Sequence, residues 1–125
     1  MKVAELLRAA NALLDDPVEN TETVWQIGTA VLIRQAIEGT IDAFWAKTVP
    51  AMRYANLTEQ LVAMPAYFGR APELAAADYA WSALSEACHQ RGYDVGLTDE
   101  ELRTHHATAR AFAIAVGAKL KARVA

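Results

Sequence analysis

Apolar residues recur at the helical period from the start of the chain. Val3, Leu6, Leu7, Ala10, Leu13 and Leu14 form one stripe with charged positions between them, which predicts an amphipathic helix over about 3–14. Asp15-Asp16-Pro17 ends that pattern. Asp16, Pro17 and Glu19 also match an N-cap, N1 and N3 set, so a short turn is expected there. A second helix is predicted over about 21–46. From Val24 to Ile37 it is apolar on most faces, and a helix with no polar side belongs in the middle of a bundle. Gly28 and Gly39 each cost about 1 kcal/mol against alanine in an exposed helix. Close approach of a neighbouring helix is the expected reason for both.

A third helix is predicted over about 49–64, with Pro50 in its first turn, Leu57, Leu61 and Met64 facing inward, and Pro65 and Gly69 closing it. The fourth starts at Pro72 and ends near Arg91-Gly92, where glycine suits a left-handed position after the helix. Its inward stripe is Leu74, Ala77, Trp81, Leu84 and Cys88. Thr98 to Glu101 reads as a capping box opening a fifth helix, which presents Leu102, Ala109, Phe112, Ala113, Val116 and Leu120 on one face. No segment alternates cleanly as a strand would, and no glycine-rich phosphate loop is present. The expected fold is all-α, an antiparallel helical bundle of about five helices in one domain over residues 1–125.

Composition narrows the function classes. A hydrophobic fraction of 54% with 22% charged residues is that of a folded globular chain. The net charge of −3 leaves no basic face for DNA. Lys119, Lys121 and Arg123 fall in the last turns of a helix, where cations offset the dipole. One cysteine, Cys88, excludes an internal disulfide and points to a reducing, cytoplasmic setting. No run approaches 18 apolar residues, so no membrane span is expected, and the first residues lack the unbroken apolar stretch of a signal peptide.

Two polar stripes carry the candidate chemistry. Asp78, Ser82, Ser85 and His89 are spaced four, three and four on the fourth helix and share a face. They form either a solvated side with a dipole-stabilising histidine or a polar pocket in which His89 acts as acid, base or ligand-binding group, with Tyr93 just beyond. On the second helix Arg34, Glu38 and Asp42 interrupt an apolar segment. Charges in such a place need partners, and Arg34 can pair with Glu38 along the helix. They form either a structural ion pair or, with Gln35, one wall of a cleft shared with Ser85 and His89. Glu86 and His89 make half of a di-metal bundle motif whose other half is missing, so neither a metal nor another cofactor is expected. His105 and His106 are adjacent and point about 100° apart; His105 falls beside the apolar face. Trp25, Trp45 and Trp81 are expected core anchors whose indole N–H groups need acceptors, with Glu38 or Asp42 available.

Two segments resemble known sequences. They are Ala30 to Glu38 leading to Phe44-Trp45, and Trp81 to His89 followed by Tyr93-Asp94 and Leu97 to Leu102. Together they resemble a family of small, uncharacterised actinobacterial helical proteins and, more distantly, HEPN domains. HEPN domains are helical bundles, often dimeric, of toxin–antitoxin and defence systems, and many are metal-independent ribonucleases. The resemblance implies His89 and Tyr93 as the later part of the nuclease motif. The motif's arginine, five to seven positions before the histidine, is missing: residues 82–84 read Ser-Ala-Leu. The resemblance therefore implies a degenerate, non-cleaving HEPN-like module; with the polar stripes, its expected ligand-binding residues are Arg34, Glu38, Ser85, His89 and Tyr93. Its partner would be a second copy of the chain, another protein, or RNA. The alternatives are a ribonuclease in which His89 is the base or acid and Arg34 stabilises phosphorane charge, and a purely structural subunit.

Overall fold

A computed structural model describes residues 2–16, 24–89 and 97–124. Among them are five α-helices and one short 3-10 turn: α1 (Val3–Asp15), α2 (Val24–Thr48), the 3-10 turn (Pro50–Tyr54), α3 (Leu57–Phe68), α4 (Pro72–His89) and α5 (Asp99–Val124). No strand occurs among the described residues. The chain is an all-α bundle, and no described helix is long and apolar enough to cross a membrane.

Helix α2 is the hub, as its lack of a polar face demands. It packs against α1, α3, α4, α5 and the 3-10 turn, while α5 also meets α1 and α4. Ile33, Ile37, Ile41, Phe44 and Trp45 of α2 are fully buried. Three threonines on α2 would strand their hydroxyls in this environment. Instead, Thr29, Thr40 and Thr48 each donate to the carbonyl four residues back, at 2.7, 2.8 and 2.7 Å.

The contacts fix the helix directions. Val3 packs at Gly39, where an added Cβ would sit 3.1 Å from Val3 Cγ2, and an added Cβ at Gly28 would sit 3.9 Å from Leu13 Cδ1. Helices α1 and α2 are thus antiparallel. The close approach expected at the glycines is real at Gly39 and an ordinary contact at Gly28. Asp15 meets Arg103 and Leu7 meets His106, so α1 also runs against α5. Glu38 meets Trp81, and Cys88 lies within the field of Arg34, so α2 runs against α4. Gln26 reaches Asp99 and Arg123 reaches Thr48, so α2 and α5 are parallel across the middle. Going round the bundle the order is α1, α2, α4, α5, each helix antiparallel to the next.

Helix α3 closes the end where α2 and α5 finish. Phe68 stands edge-on to Phe44 at 5.8 Å and to Phe112 at 6.4 Å, and Tyr67 stands edge-on to Trp45 at 5.3 Å. Edge-to-face pairs of this kind add to the burial of the rings themselves.

The segment predicted as one third helix is two elements. The 3-10 turn stops at Tyr54. Asn56 then starts α3 by accepting from the Glu59 amide at 2.8 Å, while the Glu59 side chain answers the Asn56 amide group. Pro65 does not close this helix but sits inside it. The proline forfeits a single donor only one turn from the end, and Gly69, at φ +98°, makes the stop. The predicted capping box of α5 is present: the Glu101 amide donates to Thr98 Oγ1 at 3.1 Å, and the Thr98 amide to Glu101 Oε1 at 3.2 Å. The turn expected at Asp16 to Glu19, and the cap at Gly92, lie outside the described residues, apart from Asp16 itself.

Candidate functional site

The seam between α2 and α4 brings two of the predicted stripes together. Glu38 Oε2 accepts the Trp81 indole N–H at 3.0 Å, and the same oxygen lies 3.8 Å from Arg34 Nε. That second distance is an ion pair but too long for a hydrogen bond. One turn along α4 from Trp81 is Ser85, and one turn further is Cys88, on which both Arg34 and Glu38 act electrostatically. Arg34, Glu38, Trp81, Ser85 and Cys88 therefore share one seam.

Satisfaction in this seam is incomplete. Arg34 Nε and Ser85 Oγ are buried and have no hydrogen-bond partner among the described residues. A buried donor left unmade costs about 1–3 kcal/mol, so such atoms are rare unless something else meets them. The side chains of Arg34 and Glu38 remain 24% and 36% exposed, so the seam opens to solvent on one edge. Burial pushes the Cys88 thiol above its usual range; Arg34 pulls it down and Glu38 raises it. At neutral pH Cys88 is a thiol, a weak donor on an otherwise apolar wall.

The other candidates divide. His89 is the last residue of α4 and is exposed, one turn beyond Ser85. Asp78 and Ser82 are exposed too, so the stripe read from the spacing is solvated except at Ser85, which leans into the seam. Tyr93 lies outside the described residues. Asp42 leaves the stripe of α2 altogether. It accepts from Nε and Nη2 of Arg53 in the 3-10 turn, at 2.8 and 3.0 Å, and that contact raises the Arg53 pKa. Trp81, expected as a core anchor with Glu38 or Asp42 as acceptor, is half-buried and lies in this seam. The need of an indole N–H for an acceptor was the signal that found its partner Glu38. Trp45 is fully buried and its indole N–H has no partner among the described residues.

The adjacent histidines diverge as their spacing requires. His105 is buried, tilted against Tyr79 with ring centres 6.4 Å apart. Burial lowers its pKa and Glu101 partly opposes this, so His105 is neutral at physiological pH. His106 turns the other way and its Nε2–H donates to the Leu7 carbonyl of α1 at 2.8 Å. Among the described residues no three His, Cys, Asp or Glu side chains converge as metal ligands would.

Compared with family models, curated proteins and solved structures, the chain matches none.

Proposed function

We propose that this chain is a non-catalytic binding or regulatory module, a degenerate HEPN-like bundle whose ligand seats in the α2–α4 seam. The observation that carries the reading is the pair of unpartnered buried atoms, Arg34 Nε and Ser85 Oγ, beside the Glu38–Trp81 contact. A guanidinium donor and a hydroxyl, next to an indole face and a neutral thiol, suit a small group with an acceptor at one end and a flat or apolar body. A small ligand of that kind, or the end of an RNA strand, would supply the missing partners. His89 forms the exposed rim of this seat rather than its centre, and Tyr93 follows it in sequence. A module of this type works as a homodimer or on a protein partner, in the reducing cytoplasm.

Placement of His89 favours binding over turnover. A general base is best held by a second group that fixes its tautomer and orientation, and His89 stands exposed at the end of α4. The ribonuclease alternative needs Arg34 and His89 to act on one phosphate.

Native mass spectrometry of the purified chain, with subunit count and retained mass as readouts, is the test. A retained small mass or a dimer in the wild type, lost in Arg34→Gln and Ser85→Val while circular dichroism is unchanged, is the expected result. RNA cleavage in EDTA that disappears in His89→Ala and Arg34→Ala would replace this reading with the enzymatic one. A monomer with no retained mass and no difference between wild type and variants would leave a structural subunit.

A further inference from the structure

On the opposite side of the bundle, α1 and α5 enclose a groove of about 680 Å³. Its apolar part is Val3, Ala4, Leu7 and Ile114, and its polar rim carries Arg8 and Arg110. This volume lies within the range of small-molecule pockets, about 300–1,000 Å³. The groove follows α1 from Val3 to Asn11, roughly 12 Å at the rise of a helix.

Three features separate it from an ordinary trough between helices. Ile114 is 63% exposed on its wall, an apolar side chain that no described residue covers. Neither Arg8 nor Arg110 has a carboxylate within ion-pair distance among the described residues, and no described Asp or Glu lines the groove. In a chain of net charge −3, two free guanidiniums on one apolar trench are a local reversal of sign. The trench is also rigidly built. Val3 is pressed against α2 at Gly39, and His106 ties α5 to the Leu7 carbonyl at 2.8 Å.

We infer that this groove binds a small amphiphilic anion, a hydrocarbon tail ending in a carboxylate. The tail lies along Val3, Leu7 and Ile114, and the head meets Arg8 and Arg110, whose planar forks suit a carboxylate. A second copy of the chain is a poor occupant. A two-fold interface sets the same face against itself, which would bring two pairs of unpaired arginines together. The inference does not rest on the α2–α4 seam, which lies on another face.

The test uses the full chain and three probes of equal tail length, decanoate, decanol and decyltrimethylammonium, each below its micelle concentration. Amide shifts in 15N-correlated spectra are followed through the titration. Decanoate should bind saturably, moving amides around Leu7, Arg110 and Ile114, and should bind at least about tenfold more tightly than decanol. Decyltrimethylammonium should bind less than either. Arg8→Gln with Arg110→Gln should remove the preference for decanoate over decanol while leaving the melting temperature unchanged, since both side chains are exposed. Ile114→Ala should weaken decanoate and decanol alike. Equal affinity for all three probes, shifts spread over the whole bundle, or decanoate binding that ignores the arginine variants would overturn the inference. So would binding of an acidic amphipathic peptide at these residues with no binding of decanoate.

Discussion

Two neighbouring stretches of α2 are finished in opposite ways. From Thr40 to Thr48 the helix enters an aromatic cluster with Phe68 and Phe112, and its hydroxyls are satisfied by its own backbone. From Arg34 to Glu38 it carries an ion pair of its own and faces an indole donor and a thiol of α4, with two buried polar atoms that have no partner among the described residues. The first stretch uses shape and burial to hold α2, α3 and α5 together. The second gives up some of that stability to keep polar groups available. The difference teaches that one buried helix can be a keystone on some turns and carry a polar seam on others.

Substitutions can break this contrast. Phe112→Ala should cost the most, about 3–5 kcal/mol, because it opens a cavity beside Phe68. Urea denaturation checks this, and a loss below about 1 kcal/mol would mean that the aromatic end is not the keystone. Glu38→Ala should cost about 1–3 kcal/mol by stripping an acceptor from Trp81 and a counter-charge from the buried Arg34 Nε. The same variant should move the Trp81 indole signal in the nitrogen-correlated spectrum, and Glu38→Gln should recover part of the loss.

A smaller effect belongs to His105. Its pKa is lowered in the folded chain, so between the folded value and the ordinary 6.5 the unfolded chain binds more protons. Its share of stability is therefore complete above about pH 6.5 and is lost as the pH falls below that value. Melts of wild type and His105→Leu across pH 5–8 should diverge in slope on the acid side, and parallel curves would remove His105 from the account. Smallest of all is Ser85→Ala. Its hydroxyl has no partner to lose, so stability should stay within about 0.5 kcal/mol or rise. A cost above about 1 kcal/mol would show that Ser85 Oγ is already satisfied, which would weaken the case for a ligand in the seam.

The elements were legible where local chemistry decides them. The missing polar face of Val24 to Ile37 placed α2 in the centre, and Thr98 with Glu101 placed the start of α5. The break between the 3-10 turn and α3 was written at Asn56 and Glu59, three apart as a cap requires, but the apolar rhythm running through it suggests continuity. Pro65 misleads because the breaking rule for proline weakens near a helix end. In the site, the i, i+4 spacing of Arg34 and Glu38 gave their pairing. Spacing alone cannot reveal that Asp42 turns to Arg53, or that Ser85 leaves its stripe for the seam. Those outcomes depend on which helix lies alongside, and only the assembled bundle sets that. The groove between α1 and α5 was invisible for the same reason, since its walls are about a hundred residues apart in sequence.

That separation has a kinetic consequence. The bond from His106 to the Leu7 carbonyl spans 99 residues, and the pairing of Arg103 with Asp15 spans 88. Helical proteins fold fast when their contacts are local; entropy must be spent on long loops before distant contacts give anything back. Helices α2 and α4 can meet early, joined as they are through α3. Docking of α1 on α5 encloses nearly the whole chain and should come late in the folding reaction. In a mutant series, substitutions at Leu7 would then speed unfolding more than they slow folding, and the groove would be the last part of the molecule to take shape.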